Sequence, residues 1–223
     1  RRFVSASPGR ASAKSTSCLR RGSRAMAEPA PQLALAGICA ELERAGRRFA
    51  LVGGLAVSVR AEVRFTRDVD LAVCVKDDAD AEGLVYQLGA AGYAPLVSVE
   101  HATRQRLATV RLLAPQGIKV DLLFASSGIE DEVVARATLV DMGASGRLPV
   151  ASAEELLALK VLSMTDARLQ DRLDAQRLLE FVPDMDLARV RSHLDRITGR
   201  GFNREQALQA KLDTLLAQVR QEA

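Results

Sequence analysis

The chain has 223 residues, 48% of them apolar and 26% charged, an ordinary soluble composition long enough for one sizeable core. A net charge of +3 and a pI near 9.0 would point to a nucleic-acid partner, but seven bases and no acid fall in residues 1–25, so the remainder carries −4. Absent tryptophan and scarce aromatics count against a base-stacking platform, and Cys18, Cys39 and Cys74, without C-x-x-C spacing, count against a disulfide framework or a zinc site.

The N-terminal segment RRFVSASPGRASAKSTSCLRRGSRA is rich in Ser and Arg, lacks an apolar run and reads as a disordered basic tail over residues 1–27. Translated sequence upstream of a start at Met26, a transit peptide and a nucleic-acid-binding arm are its three alternative origins. After Pro29 and Pro31, Leu33, Leu35, Ile38, Leu42 and Ala45 recur at helical spacing until Gly46. RRFALVGG reads as a short buried strand over 48–53, LAVSVRAE as a helix starting directly after the glycines, and DVDLAVCV (68–75) as the next strand. Residues 79–91 form a helix closed by Gly92, residues 92–106 read as loops, and QRLATVRLLAP and IKVDLLF read as two strands joined by a tight turn. A helix at 129–137 and short extended pieces around Leu139 and Leu148 follow.

From Ser152 the pattern is purely helical, over 153–164, 166–181, 186–197 and 204–220, and Ser152 with Glu155 has the spacing of a capping box. The fold class expected is therefore α+β: a mixed sheet flanked by helices over 28–150, then a helical module over 151–223. No run reaches the ~18 apolar residues of a membrane span, so a soluble, cytoplasmic protein without a membrane partner is expected. His101 and His193 stand far apart without a neighbouring nucleophile and read as solvated surface residues.

Two aspartates one residue apart in a strand project to the same face, with Cα atoms about 6.6 Å apart. Asp68 and Asp70 therefore repel, while Val69 and Leu71 anchor the alternate face. Either arginines such as Arg64 or Arg67 neutralise the pair at a solvent-facing strand end, or a divalent cation does. A third carboxylate, Asp121, lies between apolar residues in IKVDLLF; if its strand adjoins 68–75, three carboxylates converge on a site suited to Mg²⁺ with substrate phosphates. Gly53 and Gly54, at the turn from strand to helix, allow a phosphate chain to approach the backbone, and the helix amides face the same anion.

Further on, Lys160 emerges from an apolar stripe, where a lysine ordinarily snorkels to solvent. In DARLQDRLDAQRLLEFV, Asp171 and Asp174 share a face with Ala167, Leu178 and Val182, the side expected to pack inward. The bland reading of these acids is a salt bridge to a neighbouring helix.

The spacing GG-x13-D-x-D, the run RFTRDVDLAV and the later VDLL resemble the nucleotidyltransferase superfamily with the polymerase-beta-type catalytic core, and more narrowly the AbiEii branch of abortive-infection toxins. The resemblance spans about Phe49 to Phe181. It implies that Asp68, Asp70 and Asp121 hold Mg²⁺, that Lys160 grips the triphosphate or the departing pyrophosphate, and that Asp174, backed by Asp171, orients Lys160 or the nucleotide. Gly53, Gly54, Ser58, Thr66 and Asp171 are the expected nucleotide-binding positions. Leu55 stands where many relatives carry a serine or threonine, which leaves one phosphate ligand to backbone or Ser58, and Gln170 stands where a basic residue is common.

The implied activity is Mg²⁺-dependent transfer of a nucleoside monophosphate from a triphosphate such as ATP to a hydroxyl on tRNA or protein, with an antitoxin as a possible partner. An RNA acceptor would have to use Arg60, Arg64, Arg67, Arg104, Arg106 or the tail. The alternatives are a degenerate nucleotide- or protein-binding module without turnover and an aminoglycoside-type transferase whose acceptor pocket lies in the 92–106 loops and the helical module.

Overall fold

The computed structural model describes residues 30–101 and 105–222; the expected basic tail, Cys18 and Arg104 lie outside them. Helix α1 (Ala30–Arg44) buries Ala34, Leu35, Ile38 and Leu42, the spacing seen in the sequence, and Gly46 ends it at φ +66°. Strand β1 (Phe49–Val52) is buried along its whole length, and α2 (Gly53–Arg60) begins on the glycines themselves. Strand β2 (Val69–Val73) follows, then α3 (Asp78–Ala90), capped by the Asp77 carboxylate, which accepts from the Asp80 amide.

Strands β3 (Ala94–His101), β4 (Arg106–Leu113) and β5 (Lys119–Leu123) form a meander, followed by α4 (Glu130–Arg136), β6 (Thr138–Asp141) and β7 (Arg147–Val150). Together they make one seven-stranded sheet in the order β3-β4-β5-β2-β1-β7-β6. The β2–β5 and β1–β7 pairs are parallel and the others antiparallel, so the sheet is mixed as expected. Helices α5 (Ala153–Ser163), α6 (Leu169–Phe181), α7 (Leu187–Gly199) and α8 (Leu208–Glu222) complete the α+β fold. One apolar core runs without interruption from α1 through the sheet to α8. Among the described residues no helix is long and apolar enough to cross a membrane.

Three local expectations are corrected. Residues 94–101 are a strand, not a loop: β3 is an edge strand whose residues are exposed up to His101, held by backbone pairing to β4 through two irregularities, so burial leaves no alternation to read. The capping box does not form, because the Ser152 hydroxyl bonds the Glu154 and Glu155 carboxylates instead of a backbone amide. His193 is buried rather than solvated, 1% exposed, with its Nε2 2.8 Å from the fully buried Glu155 carboxylate. The other histidine, His101, packs on the Phe202 ring at 4.6 Å.

Candidate active site

Strand register brings the acidic residues together. Asp70 on β2 pairs with Asp121 on β5, and Asp121 pairs with Arg111 on β4, so the three side chains stand in a row across neighbouring strands about 4.8 Å apart. The adjacency of 68–75 and IKVDLLF on which convergence depended is therefore present. Arg111 donates twice to Asp121, Nε to Oδ1 at 2.7 Å and Nη2 to Oδ2 at 2.6 Å, the planar fork that matches a carboxylate. Burial, the neighbouring Asp121 and Asp68 push the Asp70 carboxyl from 3.8 up to about 6 against the pull of Lys160 and Arg111.

A second cluster centres on Lys160. Lys160 on α5 is 8% exposed, and its Nζ lies 2.6 Å from Asp171 Oδ1 and 2.8 Å from Asp174 Oδ2, both on α6. This lysine does not take the snorkelling alternative: two buried carboxylates hold the ammonium in the interior. Asp174 is fully buried and also receives Gln170 Nε2 at 2.9 Å and the Arg64 guanidinium, whose Nη2 lies 2.8 Å from Oδ2. Burial favours its neutral form, yet Lys160, Arg64 and Gln170 outweigh that and hold the carboxyl below its ordinary value. Arg168 Nε meets the other Asp171 oxygen at 2.7 Å.

The glycines serve these side chains. Gly53 has φ +65°, and a β-carbon there would overlap the Asp70 carboxylate; one on Gly54 would overlap the Arg64 guanidinium. Asp70 and Arg64 thus use the close approach that the missing β-carbons allow, while Gly54 still lines an open cleft. Gly53→Ala is expected to displace Asp70 and to cost about 1–3 kcal/mol from the left-handed backbone alone, read as a lower urea midpoint together with lost nucleotidyl transfer.

Asp68, Asp70, Asp121, Lys160, Asp171, Gly54 and Thr66 line one open cleft of about 520 Å³. Asp174, fully buried, meets the cleft through Lys160, which it holds. A second cleft of about 790 Å³ shares Asp70, Arg111, Asp121 and Arg168 with the first and continues along Thr109, Ser126 and Arg204. Ser58 stands apart from these groups: its hydroxyl donates to Gly54 O at 3.0 Å, one helical turn back, and accepts from the Arg64 amide at 3.3 Å. It fastens the segment that carries Arg64.

Several of the arginines named for an RNA acceptor have internal work. Arg60 donates to the Ala151 and Val150 carbonyls at 2.8 and 2.7 Å, Arg64 holds Asp174, and Arg106 holds Asp78 at 2.7 Å. Arg67 lies over the Phe65 ring at 5.5 Å. Sequence reasoning missed Arg111 and gave Arg64 a different carboxylate. A signal for Arg111 exists: closing the hairpin at Pro115–Gly117 sets it opposite Asp121.

The donor chemistry of the row fits a hard divalent cation. It offers carboxylate oxygens only, and the mutual repulsion that raises Asp70 is what an added positive charge relieves. Among the described residues, however, no group of three or more Asp, Glu, His or Cys side chains is arranged so that it could hold a metal ion, and Arg111 holds both Asp121 oxygens.

The raised Asp70 carboxyl also has a pH signature. Between about 4 and 6 the folded protein keeps a proton that the unfolded chain has lost, so this group's contribution to stability falls as pH rises through that window. In chelator, the stability gained by Asp70→Asn over wild type is expected to grow from pH 4 to 6 and then level off; a difference flat with pH would contradict the assigned environment.

A family model described as "Nucleotidyl transferase AbiEii toxin, Type IV TA system" matches residues 35–222, reaching beyond the Phe49–Phe181 motifs to include α7 and α8. Similar solved structures include an antigenic nucleotidyltransferase-like protein from Paracoccidioides brasiliensis, 15% identical over 80% of this chain and 92% of that chain with TM-score 0.46. A lincomycin-bound lincosamide antibiotic adenylyltransferase is 16% identical over 66% of this chain and 94% of that chain, TM-score 0.43. The protein ANT(2″)-Ia in complex with adenylyl-2″-tobramycin is 12% identical over 76% and 97%, TM-score 0.45. A search of curated proteins gives no match. With the family match covering the sheet, most of α1 and all of α2 to α8, the chain belongs to the AbiEii nucleotidyl transferase toxin family of type IV toxin–antitoxin systems and is a nucleotidyltransferase.

Proposed function

We propose that the protein transfers a nucleoside monophosphate from a nucleoside triphosphate, bound with Mg²⁺ in the smaller cleft, to the hydroxyl of a macromolecular acceptor, an RNA end or a protein side chain. The observation that carries this reading is that the carboxylate row of Asp70 and Asp121 and the Lys160 side chain line one cleft. A cation held by Asp68, Asp70 and Asp121 would supply charge neutralisation and a more acidic attacking hydroxyl. Lys160, fixed by Asp171 and Asp174, stabilises the charge that grows on the leaving pyrophosphate. Thr66 and the first amides of α2 orient the phosphates from the same side.

In-line displacement sends the acceptor in opposite to the leaving group, through the larger cleft across the carboxylates. Asp121 borders both clefts, which supports a role for it in accepting the hydroxyl proton or in holding the cation that acidifies that hydroxyl. Family membership makes an antitoxin the expected protein partner. Incubation with total RNA or total protein, Mg²⁺ and each α-labelled triphosphate tests the reading: label should enter one macromolecular fraction, and a wild-type protein that labels neither fraction with any triphosphate would refute it.

A further inference from the structure

Arg111 sits where a positive charge is most needed. Register places it directly opposite Asp121, which in turn stands opposite Asp70, so the row across β4, β5 and β2 reads one cation followed by two anions. Its guanidinium takes both Asp121 oxygens at 2.6 and 2.7 Å, which uses one lone pair on each oxygen and leaves a second cation only the other pair, beside a positive charge. Lys160 is engaged elsewhere, with Asp171 and Asp174 holding it at 2.6 and 2.8 Å. The Arg111 side chain is also 39% exposed, while Asp121 is 13% exposed, and it borders both clefts. The guanidinium therefore has room to turn towards an anion entering either cleft without movement of its strand.

We propose that Arg111 is a positioning residue that occupies Asp121 in the nucleotide-free protein and yields it when triphosphate arrives, so that the divalent cation is taken up together with nucleotide rather than before it. The inference rests on the carboxylate cation site proposed above. Before nucleotide binds, a cation approaching Asp121 is repelled by the guanidinium at short range and competes with two charge-assisted hydrogen bonds for the carboxylate's charge. A triphosphate changes the balance, since its oxygens offer the guanidinium a replacement partner and bring negative charge to the cation. The consequence for function is protection: a site that binds metal only with substrate does not assemble on metal alone.

Titration of the full chain with Mn²⁺ alone, followed by calorimetry, tests this without any readout of turnover. Arg111→Gln removes the competing charge and is expected to tighten Mn²⁺ binding at least tenfold relative to wild type. Arg111→Lys, which keeps a charge but not the fork, should fall between them, and thermal melts of both variants confirm that each is folded. With a saturating non-hydrolysable triphosphate present, the gap between wild type and Arg111→Gln should close. Mn²⁺ binding to folded Arg111→Gln that is equal to or weaker than wild type would overturn the proposal, leaving Arg111 as a brace for Asp121. Asp70→Asn added to Arg111→Gln separates the two levels: the gained affinity should vanish, and if it persists, the cation binds elsewhere and the carboxylate site fails with it.

Discussion

Replacing Lys160 with methionine should destabilise the protein by about 3 kcal/mol and lower nucleotidyl transfer by two to three orders of magnitude. The stability effect arises because the ammonium is the shared partner of two buried carboxylates, Asp171 at 2.6 Å and Asp174 at 2.8 Å. Removing one member of a buried ionic cluster leaves charge unbalanced in a poorly solvated place, which costs about 3–5 kcal/mol. The lower end applies here, since Asp171 keeps Arg168 and Asp174 keeps Arg64 and Gln170. Adding Asp174→Asn to Lys160→Met should restore part of the stability and none of the activity. Urea unfolding at pH 7 reads the effect; a loss under about 1 kcal/mol would mean that the cluster is solvated and the lysine free to leave.

The opposite pairing of effects is expected at Asp70. Asparagine there removes a carboxylate placed beside two others, and about 10³-fold or more of the transfer rate should go with it, corresponding to the several kcal/mol that charge stabilisation contributes at such a centre. Folding stability should rise, because the repulsion from Asp121 and Asp68 that pushes the Asp70 carboxyl up to about 6 is relieved. A variant that is more stable and inactive is the signature of a residue kept for chemistry at the expense of the fold. If Asp70→Asn lost stability, the carboxylate would be a structural anchor, and the role given to it would be wrong.

Much of the site was legible because its residues violate local pattern. Two aspartates in an apolar strand and a lysine in an apolar helical stripe are costly unless partnered, so Asp68, Asp70 and Lys160 stand out from the sequence alone. The inward aspartates of α6 stood out for the same reason, and both are buried. Arg111 and Arg64 carry no such mark, since an arginine in an alternating strand or a loop is ordinary; only strand register and the turn of the chain reveal the carboxylates that they hold. The contact between Asp70 and Asp121 depends on parallel pairing of β2 and β5 across some fifty residues, which no local periodicity encodes. Strand β3 escaped detection because an exposed edge strand is held by backbone hydrogen bonds and leaves its side chains free of pattern. Buried His193 escaped because its partner, Glu155, fits a helix-start motif that the fold does not use.

The central claim is that this carboxylate row and Lys160 direct attack at the α-phosphorus of a triphosphate. Parallel reactions with α-labelled and γ-labelled triphosphate, in the presence of Mg²⁺ and the acceptor fraction, test it most directly. Wild type should carry the α label into the acceptor and release the γ label as pyrophosphate, and Asp70→Asn and Lys160→Met should do neither at a comparable rate. Transfer of the γ label to the acceptor, or α-label transfer that survives undiminished in Asp70→Asn, would contradict it.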